Sequence, residues 1–122
     1  MALPENHPLS EVPLYGHTAS CAASPIAAQI VVPFRGEVIK VWTGLGGAIT
    51  VADCTVATAI NGTAITGGSI TIANASSAAG DIDSAVPTAA NQVNEGDVIT
   101  FPPAGATGTN IPLNCCAVVR RR

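Results

Sequence analysis

The sequence predicts an all-β protein in which a sandwich or barrel domain follows an extended N-terminal arm. After residue 25, short runs rich in Val, Ile and Thr alternate with Gly, Asn, Asp and Pro. This pattern is typical of antiparallel strands joined by tight turns. No stretch sustains the apolar period of roughly 3.6 residues that marks an amphipathic helix. At 122 residues the chain is long enough for one domain with a real core.

The arm is predicted from its prolines. Four of them fall early in the chain: Pro4, Pro8, Pro13 and Pro25. Each proline fixes φ and removes an amide donor, so neither a helix nor a central strand can form at this spacing. The arm is therefore assigned to residues 1–25 and the sandwich domain to residues 26–122, whose strands are expected to hold the core without the arm.

The arm is nevertheless apolar. Its candidate contact residues are Leu3, Leu9, Val12, Leu14 and Tyr15. A contiguous apolar surface of this kind is normally covered by protein. Either the arm lies back on its own domain or it grips a neighbouring molecule, and the sequence leaves both alternatives open.

Seven runs after the arm predict strands. In residues 37–45 the side chains alternate as in a pleated strand, with Val38 and Trp42 on one face and Val41 and Leu45 on the other. The predicted strands are residues 26–32, 37–45, 54–60, 63–66, 69–75, 97–101 and 111–119.

Turn sequences separate these runs. Asn61-Gly62 is the strongest signal for a type I′ hairpin turn, and Gly67-Gly68 predicts a second tight turn. Residues 76–95 are predicted to form a loop. Between Asp53 and Asp81 the chain has no charged residue and no His. Strands of this composition suit surfaces that another layer or subunit covers, where a buried charge would be costly.

Composition excludes several classes of function. A formal net charge of −3 and a pI near 5.0 argue against a nucleic-acid partner. The first residues lack the basic and apolar regions of a secretory signal, and no apolar run reaches the ~20 residues of a membrane span. We therefore expect a protein made in the cytoplasm, without a membrane partner. The terminal arginines, residues 120–122, fit either a frayed solvated tail or a contact with an acidic partner.

The four cysteines are expected to be thiols in that compartment. Cys115 and Cys116 are adjacent, so a strand would place them on opposite faces, which suits two small apolar side chains better than a disulfide. Aromatic residues make up only 3% of the chain. A core with so little aromatic area favours assembly into an oligomer.

The search for catalytic or metal-binding residues is negative. His7 and His17 both fall in the arm, where nothing would hold a general base in place. His17 and the cysteines lack the spacing of a zinc site. Asp81 and Asp83 provide too few oxygen ligands for calcium and suit a solvated turn. The sequence therefore predicts no enzyme, no cofactor and no metal.

Three segments resemble a known family. The opening VVPFRGEVIKV, the turn region INGTAITGG and the run VNEGDVITF, with the stretches between them, resemble the capsid decoration or cement proteins of tailed bacteriophages. The resemblance covers about residues 26–119. It implies a compact β-sandwich, and the expected fold is therefore a small antiparallel β-sandwich, jelly-roll-like, with the extended arm before it.

The resemblance also implies a function and brings no catalytic residues with it. It implies a structural virion protein that forms homotrimers on the exterior of the phage capsid and bridges and stabilises major capsid protein subunits. The arm residues named above are then the candidate capsid contacts. The alternative is a head fibre or spike domain that binds a host receptor or glycan. That alternative ranks lower because Trp42 and Tyr15 offer few side chains for stacking on sugars.

Overall fold

A computed structural model describes residues 10–106 and 109–122 of the chain, and these residues form ten β-strands and no helix. The strands are β1 (Glu11–Thr18), β2 (Ala28–Val31), β3 (Gly36–Leu45), β4 (Cys54–Ile60), β5 (Thr63–Ile72), β6 (Ile82–Ala85), β7 (Gln92–Val93), β8 (Val98–Phe101), β9 (Pro103–Ala104) and β10 (Leu113–Arg121).

The strands form two antiparallel five-stranded sheets in jelly-roll order. The first sheet has the order β1-β10-β3-β6, with β7 also paired to β3. The second has the order β2-β8-β4-β5, with β9 also paired to β4. The eight main strands of such a double sheet make two Greek keys, which is the jelly-roll arrangement. The predicted antiparallel, jelly-roll-like sandwich is therefore confirmed.

The core lies between the two sheets and is almost entirely aliphatic. Its largest fully buried side chains are Phe101, Ile49, Ile70, Ile72, Ile99 and Leu113, with six valines. Phe101 is the only aromatic residue in this core cluster within the described part of the chain. Apolar inward side chains alternate with outward ones along most strands, as two packed sheets require.

β1 is an edge strand, and its position differs from the prediction of an arm separate from the sandwich. It pairs antiparallel with β10, from Glu11 opposite Arg120 to Thr18 opposite Leu113. Pro13 is accommodated because an edge strand can spare an amide donor on its outer side. The second half of the predicted arm therefore belongs to the sandwich, whereas residues 1–9 lie outside the described part of the chain.

A β-bulge in β3 changes the predicted assignment of its faces. Val118 lies opposite Lys40, and Val119 lies opposite Val38, so Ile39 is an extra residue in β3. An extra residue reverses the alternation beyond it. As a result Val38 and Val41 are both fully buried, although simple alternation placed them on opposite faces.

The predicted turn at Gly67-Gly68 is wrong, because β5 continues through it as one strand of ten residues. Ala57 pairs with Ser69 and Ala59 with Ala64, so residues 65–68 bulge out opposite Thr58 alone. Gly67 has a φ of +78°, a conformation that glycine adopts without steric cost. The bulge is stabilised by Thr58 Oγ1, which donates a hydrogen bond to the Gly68 carbonyl at 2.6 Å.

The hairpin predicted at Asn61-Gly62 is confirmed. Both residues have positive φ, +50° and +86°, and Ile60 pairs with Thr63 across the turn. The predicted strands at 26–32, 54–60, 97–101 and 111–119 also form, with slightly different ends. The predicted loop at residues 76–95 instead contains β6 and β7, two short strands that both pair with β3.

Candidate functional site

Two aromatic residues, Tyr15 on β1 and Trp42 on β3, lie on the outer face of the first sheet, away from the core. Tyr15 lies opposite Cys116, Cys116 opposite Trp42, and Trp42 opposite Ser84, so these four side chains form one row across the sheet. The Tyr15 side chain is 74% exposed. A row of side chains on one face of a sheet is in mutual contact distance.

An aromatic groove lies beside this row. It encloses about 370 Å³ and is lined mainly by Tyr15, Trp42, Gly44, Ile82, Asn114 and Cys116. Its depth comes from Gly44, which lies between Asn114 and Ile82 in the next row of the sheet. Because glycine has no side chain, the floor is open: a Cβ at this position would lie 3.5 Å from Ile82 Cδ1.

The groove is uncharged, with polar groups at its rim. None of its lining residues is Asp, Glu, Lys or Arg. Lys40 places its Nζ 4.4 Å from the centre of the Trp42 ring, on one face of the indole. At the rim His17 Nδ1 lies 2.8 Å from Asn114 Oδ1. Burial raises the pKa of the Cys116 thiol, which therefore stays protonated near neutral pH and contributes an apolar floor.

The other three thiols lie in the core. Cys21, Cys54 and Cys115 are at most 2% exposed, and all four cysteines are free. Burial is the main cause that raises the pKa of Cys54 to about 11 and that of Cys115 to about 12. Reactive cysteines need a lowered pKa, so these thiols are packing groups. Cys115 and Cys116 point to opposite faces, as predicted.

The described residues hold no cluster of metal-ligating side chains. Within residues 10–106 and 109–122, no group of three or more His, Cys, Asp or Glu could hold a metal ion. Asp81 accepts a hydrogen bond from the Ala78 amide at 2.9 Å, as in a turn. The pKa of Asp83 is raised by burial and then by the charge of Asp81. His7 lies outside the described residues.

The described candidate capsid contacts do not share one surface. Leu14 packs against the core of its own chain, because it lies on the inner side of β1. Val12 is half-buried at the next inward position. Tyr15 faces outward into the groove. Leu3 and Leu9 lie outside the described residues. Of the described candidates, Tyr15 is the one that is available to a partner.

The terminal arginines are bound to the sandwich, in contrast to a frayed tail. Arg120 forms an ion pair with Glu11 at 2.9 Å, and Arg122 forms one with Glu37. The Arg121 guanidinium lies 5.3 Å from the centre of the Phe34 ring. The end of β10 and the start of β1 therefore lie side by side at one end of the molecule.

The sequence indicated some of these residues but not their arrangement. Trp42 and Tyr15 were recognisable as rare aromatics, whereas Gly44, Ile82 and Asn114 carried no signal of their own. They form a groove only because β6, β3, β10 and β1 are neighbours in one sheet. Alternation along each strand could have indicated which side chains face outward, but not which strands lie next to each other.

Comparison with known proteins finds no matching family model and no matching curated protein. In the part of the chain that the structure describes, no helix has the length and apolar character needed to cross a membrane.

Proposed function

We propose that this chain is a structural virion protein, a capsid decoration or cement protein. In this role it trimerises on the exterior of a phage head and bridges and stabilises major capsid protein subunits. A molecule that binds only the assembled lattice shifts the assembly equilibrium towards the lattice by mass action. The resemblance of residues 26–119 to decoration proteins supports the proposal, as does the jelly-roll sandwich, although a fold alone hosts many functions.

The observation that carries the proposal is the point at which the arm joins the sandwich. Residues 11–18 are held in the first sheet by pairing with β10, and residues 1–9 lie outside the described part of the chain. The sequence of these residues contains Leu3 and Leu9 and precedes Glu11, which pairs with Arg120. Leucine side chains suit a role in gripping a coat lattice, since each fully buried Leu contributes about 1.5–3 kcal/mol.

Two surface features support contact between subunits. The outer side of β4 and β5 has small uncharged residues, among them Thr55, Ala57, Ser69 and Thr71. Such a surface can be covered without burying a charge. Large exposed apolar side chains also occur on both sheets and the loops: Tyr15, Ile26, Val31, Val51, Ile82 and Val86. Exposed apolar area of this kind is typical of interaction surfaces.

The test compares three versions of the protein for binding to coat shells assembled without it. The first is the full chain, the second lacks residues 1–9, and the third keeps its length but carries Leu3→Ser and Leu9→Ser. We expect only the full chain to sediment with the shells, while all three unfold at the same temperature. Binding by the double-serine protein at unchanged affinity would contradict the lattice-grip role and move the contact to the sandwich loops.

The oligomeric state is tested separately. Sedimentation equilibrium of the full chain at micromolar concentration is expected to give a trimer of the 12.1 kDa chain. A monomer would contradict the proposal, and a dimer would contradict the resemblance to decoration proteins. Imaging of virions with and without the protein separates the two functional classes: ordered knobs at symmetry axes indicate cement, and an appendage at a single vertex indicates a fibre.

A further inference from the structure

We propose that the aromatic groove on the outer face of the first sheet is a binding site for a neutral pyranose sugar. This inference goes beyond the decoration role and does not depend on it. It assigns a ligand class to a surface of the sandwich, whereas the decoration role is carried by the arm.

The first argument is the free face of the Trp42 ring. Lys40 and Gly44 flank Trp42 at two residues before and two residues after it on the outer face of β3. The Lys40 ammonium covers one face of the indole at 4.4 Å. On the other side Gly44 has no side chain, and the groove opens there. The groove therefore opens on the Gly44 side of Trp42.

The second argument is the width of the groove. Tyr15 on β1 and Trp42 on β3 are separated by one strand, β10, so their strands are roughly 9–10 Å apart. A six-membered ring held between two side chains needs two van der Waals contacts of about 3.5–4.0 Å each. The volume of about 370 Å³ also falls at the small end of the range for ligand sites. A volume of this size accommodates one sugar ring above Cys116, which lies between Tyr15 and Trp42 in the row.

The third argument is the chemistry of the lining. A pyranose presents apolar C–H faces, which pack on aromatic rings, and hydroxyl groups at its edge, which need hydrogen-bond partners. The apolar part of the groove is Tyr15, Trp42 and Ile82. At the rim, Asn114 Oδ1 is engaged by His17, so the NH₂ group of Asn114 supplies donors for hydroxyl oxygens.

The absence of charge defines the ligand class further. The lining has no Lys or Arg, and the nearby Lys40 ammonium lies over the Trp42 ring, so a neutral sugar is favoured over a uronate or sialic acid. Contact of this face with a second copy of the chain is an alternative outcome that the test detects.

The experiment uses the full chain and its only tryptophan, Trp42, as the fluorescent probe. The protein is titrated with methyl glucoside, galactoside, mannoside and N-acetylglucosaminide, and with methyl glucuronide as the charged comparison. We expect a saturable change in fluorescence with at least one neutral pyranoside, at millimolar concentration, and none with the glucuronide.

Three variants locate the site. Gly44→Val fills the floor, and its Cβ would make ordinary contacts of 3.5 Å with Ile82 and 3.9 Å with Asn114. Tyr15→Ser removes one aromatic platform. Val31→Ser, at an exposed apolar position on the second sheet, is the matched control. We expect binding to weaken at least tenfold in the first two variants and to remain unchanged in the control.

Three outcomes would overturn the proposal. The first is tryptophan fluorescence that no neutral pyranoside changes. The second is a fluorescence change on sugar binding that Gly44→Val leaves unaltered. The third is a Gly44→Val protein that loses its oligomeric state in sedimentation. The last outcome would identify the groove as a contact between subunits. Sedimentation with coat shells is measured on the same variants, so a failure here is distinguishable from a failure of the decoration role.

Discussion

The side chain of Asn61 joins the turn between β4 and β5 to Asp97, at the start of β8. Asn61 Nδ2 donates a hydrogen bond to Asp97 Oδ1 at 2.9 Å, and the Val98 amide donates one to Asn61 Oδ1 at 2.9 Å. The second carboxylate oxygen of Asp97 accepts the Asn94 amide at 2.8 Å. The turn between β4 and β5 and the turn between β7 and β8 are thus fixed to each other by one Asn and one Asp.

Replacing Asn61 is expected to destabilise the fold measurably. Asn61→Ala removes both side-chain hydrogen bonds and places Ala at a φ of +50°. The combined loss should lower the free energy of unfolding by about 2 kcal/mol. Asn61→Gly keeps the positive φ accessible and should cost only about half as much. Urea unfolding at fixed protein concentration measures both, and equal losses in the two variants would contradict the backbone part of this explanation.

Thr43 offers a substitution that should stabilise the protein. Its side chain is 2% exposed, and among the described residues its Oγ1 has no hydrogen-bond partner. Thr43→Val keeps the shape and removes an unsatisfied hydroxyl, so the free energy of unfolding should rise by roughly 1 kcal/mol. Thr58→Val is the matched control because Thr58 Oγ1 does donate a bond, at 2.6 Å to Gly68. A loss of stability in both variants would show that the Thr43 hydroxyl is satisfied in solution.

Acid should weaken the contact between Glu37 and Arg122. The hydrogen bond from Arg122 is the main cause that holds the pKa of Glu37 below its ordinary value of 4.5. A carboxyl group whose pKa is lower in the folded than in the unfolded state stabilises the folded protein at pH values above its unfolded-state pKa. This contribution is lost as the pH falls through its folded-state pKa. Arg122→Gln should therefore cost about 0.5 kcal/mol at pH 7 and less at pH 3.

The control for this pH dependence is Arg121→Gln, which loses a contact with the Phe34 ring and no contact with Glu37. Its effect on the denaturation midpoint should be the same at both pH values. If the difference between the wild type and Arg122→Gln persisted unchanged at pH 3, the ionised carboxylate of Glu37 would not be its source.

The thiols should behave as packed apolar groups. Of the four, only Cys116 is more than marginally exposed, and burial raises the pKa of Cys54 to about 11 and that of Cys115 to about 12. At pH 8 a disulfide reagent should therefore react quickly with at most one thiol in the native protein and with all four in denaturant. Chelator and mild reductant should leave the melting temperature unchanged. Cys54→Ala should cost on the order of 1 kcal/mol. Rapid reaction of a second thiol would contradict the burial of the core cysteines.

Local sequence predicted the parts of the fold that depend on neighbouring residues. The strands alternate visibly, and Asn61-Gly62 specifies its own turn because both positions need positive φ. The opposite directions of Cys115 and Cys116 follow from the pleat alone. In these cases the physical determinant lies within a few residues of the feature itself.

The features that sequence reasoning missed depend on partners that are distant in the chain. β1 forms because β10, about one hundred residues later, supplies its ladder, so the prolines of the arm gave a misleading signal. Gly67-Gly68 resembles a turn but is a bulge, because Thr66 bonds to Ala89 beyond the hairpin. The aromatic groove requires four strands in one sheet. Long-range pairing of this kind is not readable from local propensity.

N-terminal truncations of different length locate the boundary between the arm and the sandwich. Removing residues 1–9 leaves β1 intact, and the melting temperature should not change. Removing residues 1–18 deletes the whole of β1, although the sequence alone suggested that strands after residue 25 would hold the core unaided. Leu14 would be lost from the core cluster, and the far edge of β10 would lose its ladder from Leu113 to Arg120.

The longer truncation should therefore lower the free energy of unfolding by about 2 kcal/mol or more, since it removes the whole ladder to β10 as well as the partly buried Leu14, and full burial of a Leu is worth about 1.5–3 kcal/mol. It should also promote aggregation through the newly exposed edge of β10. A matched control is Leu14→Ser in the full chain, which removes the core contact and keeps the ladder. If the truncated protein melted at the wild-type temperature, β1 would be dispensable and the arm would extend to residue 18. If Leu14→Ser accounted for the entire loss, the contribution of β1 would come from packing and not from its pairing with β10.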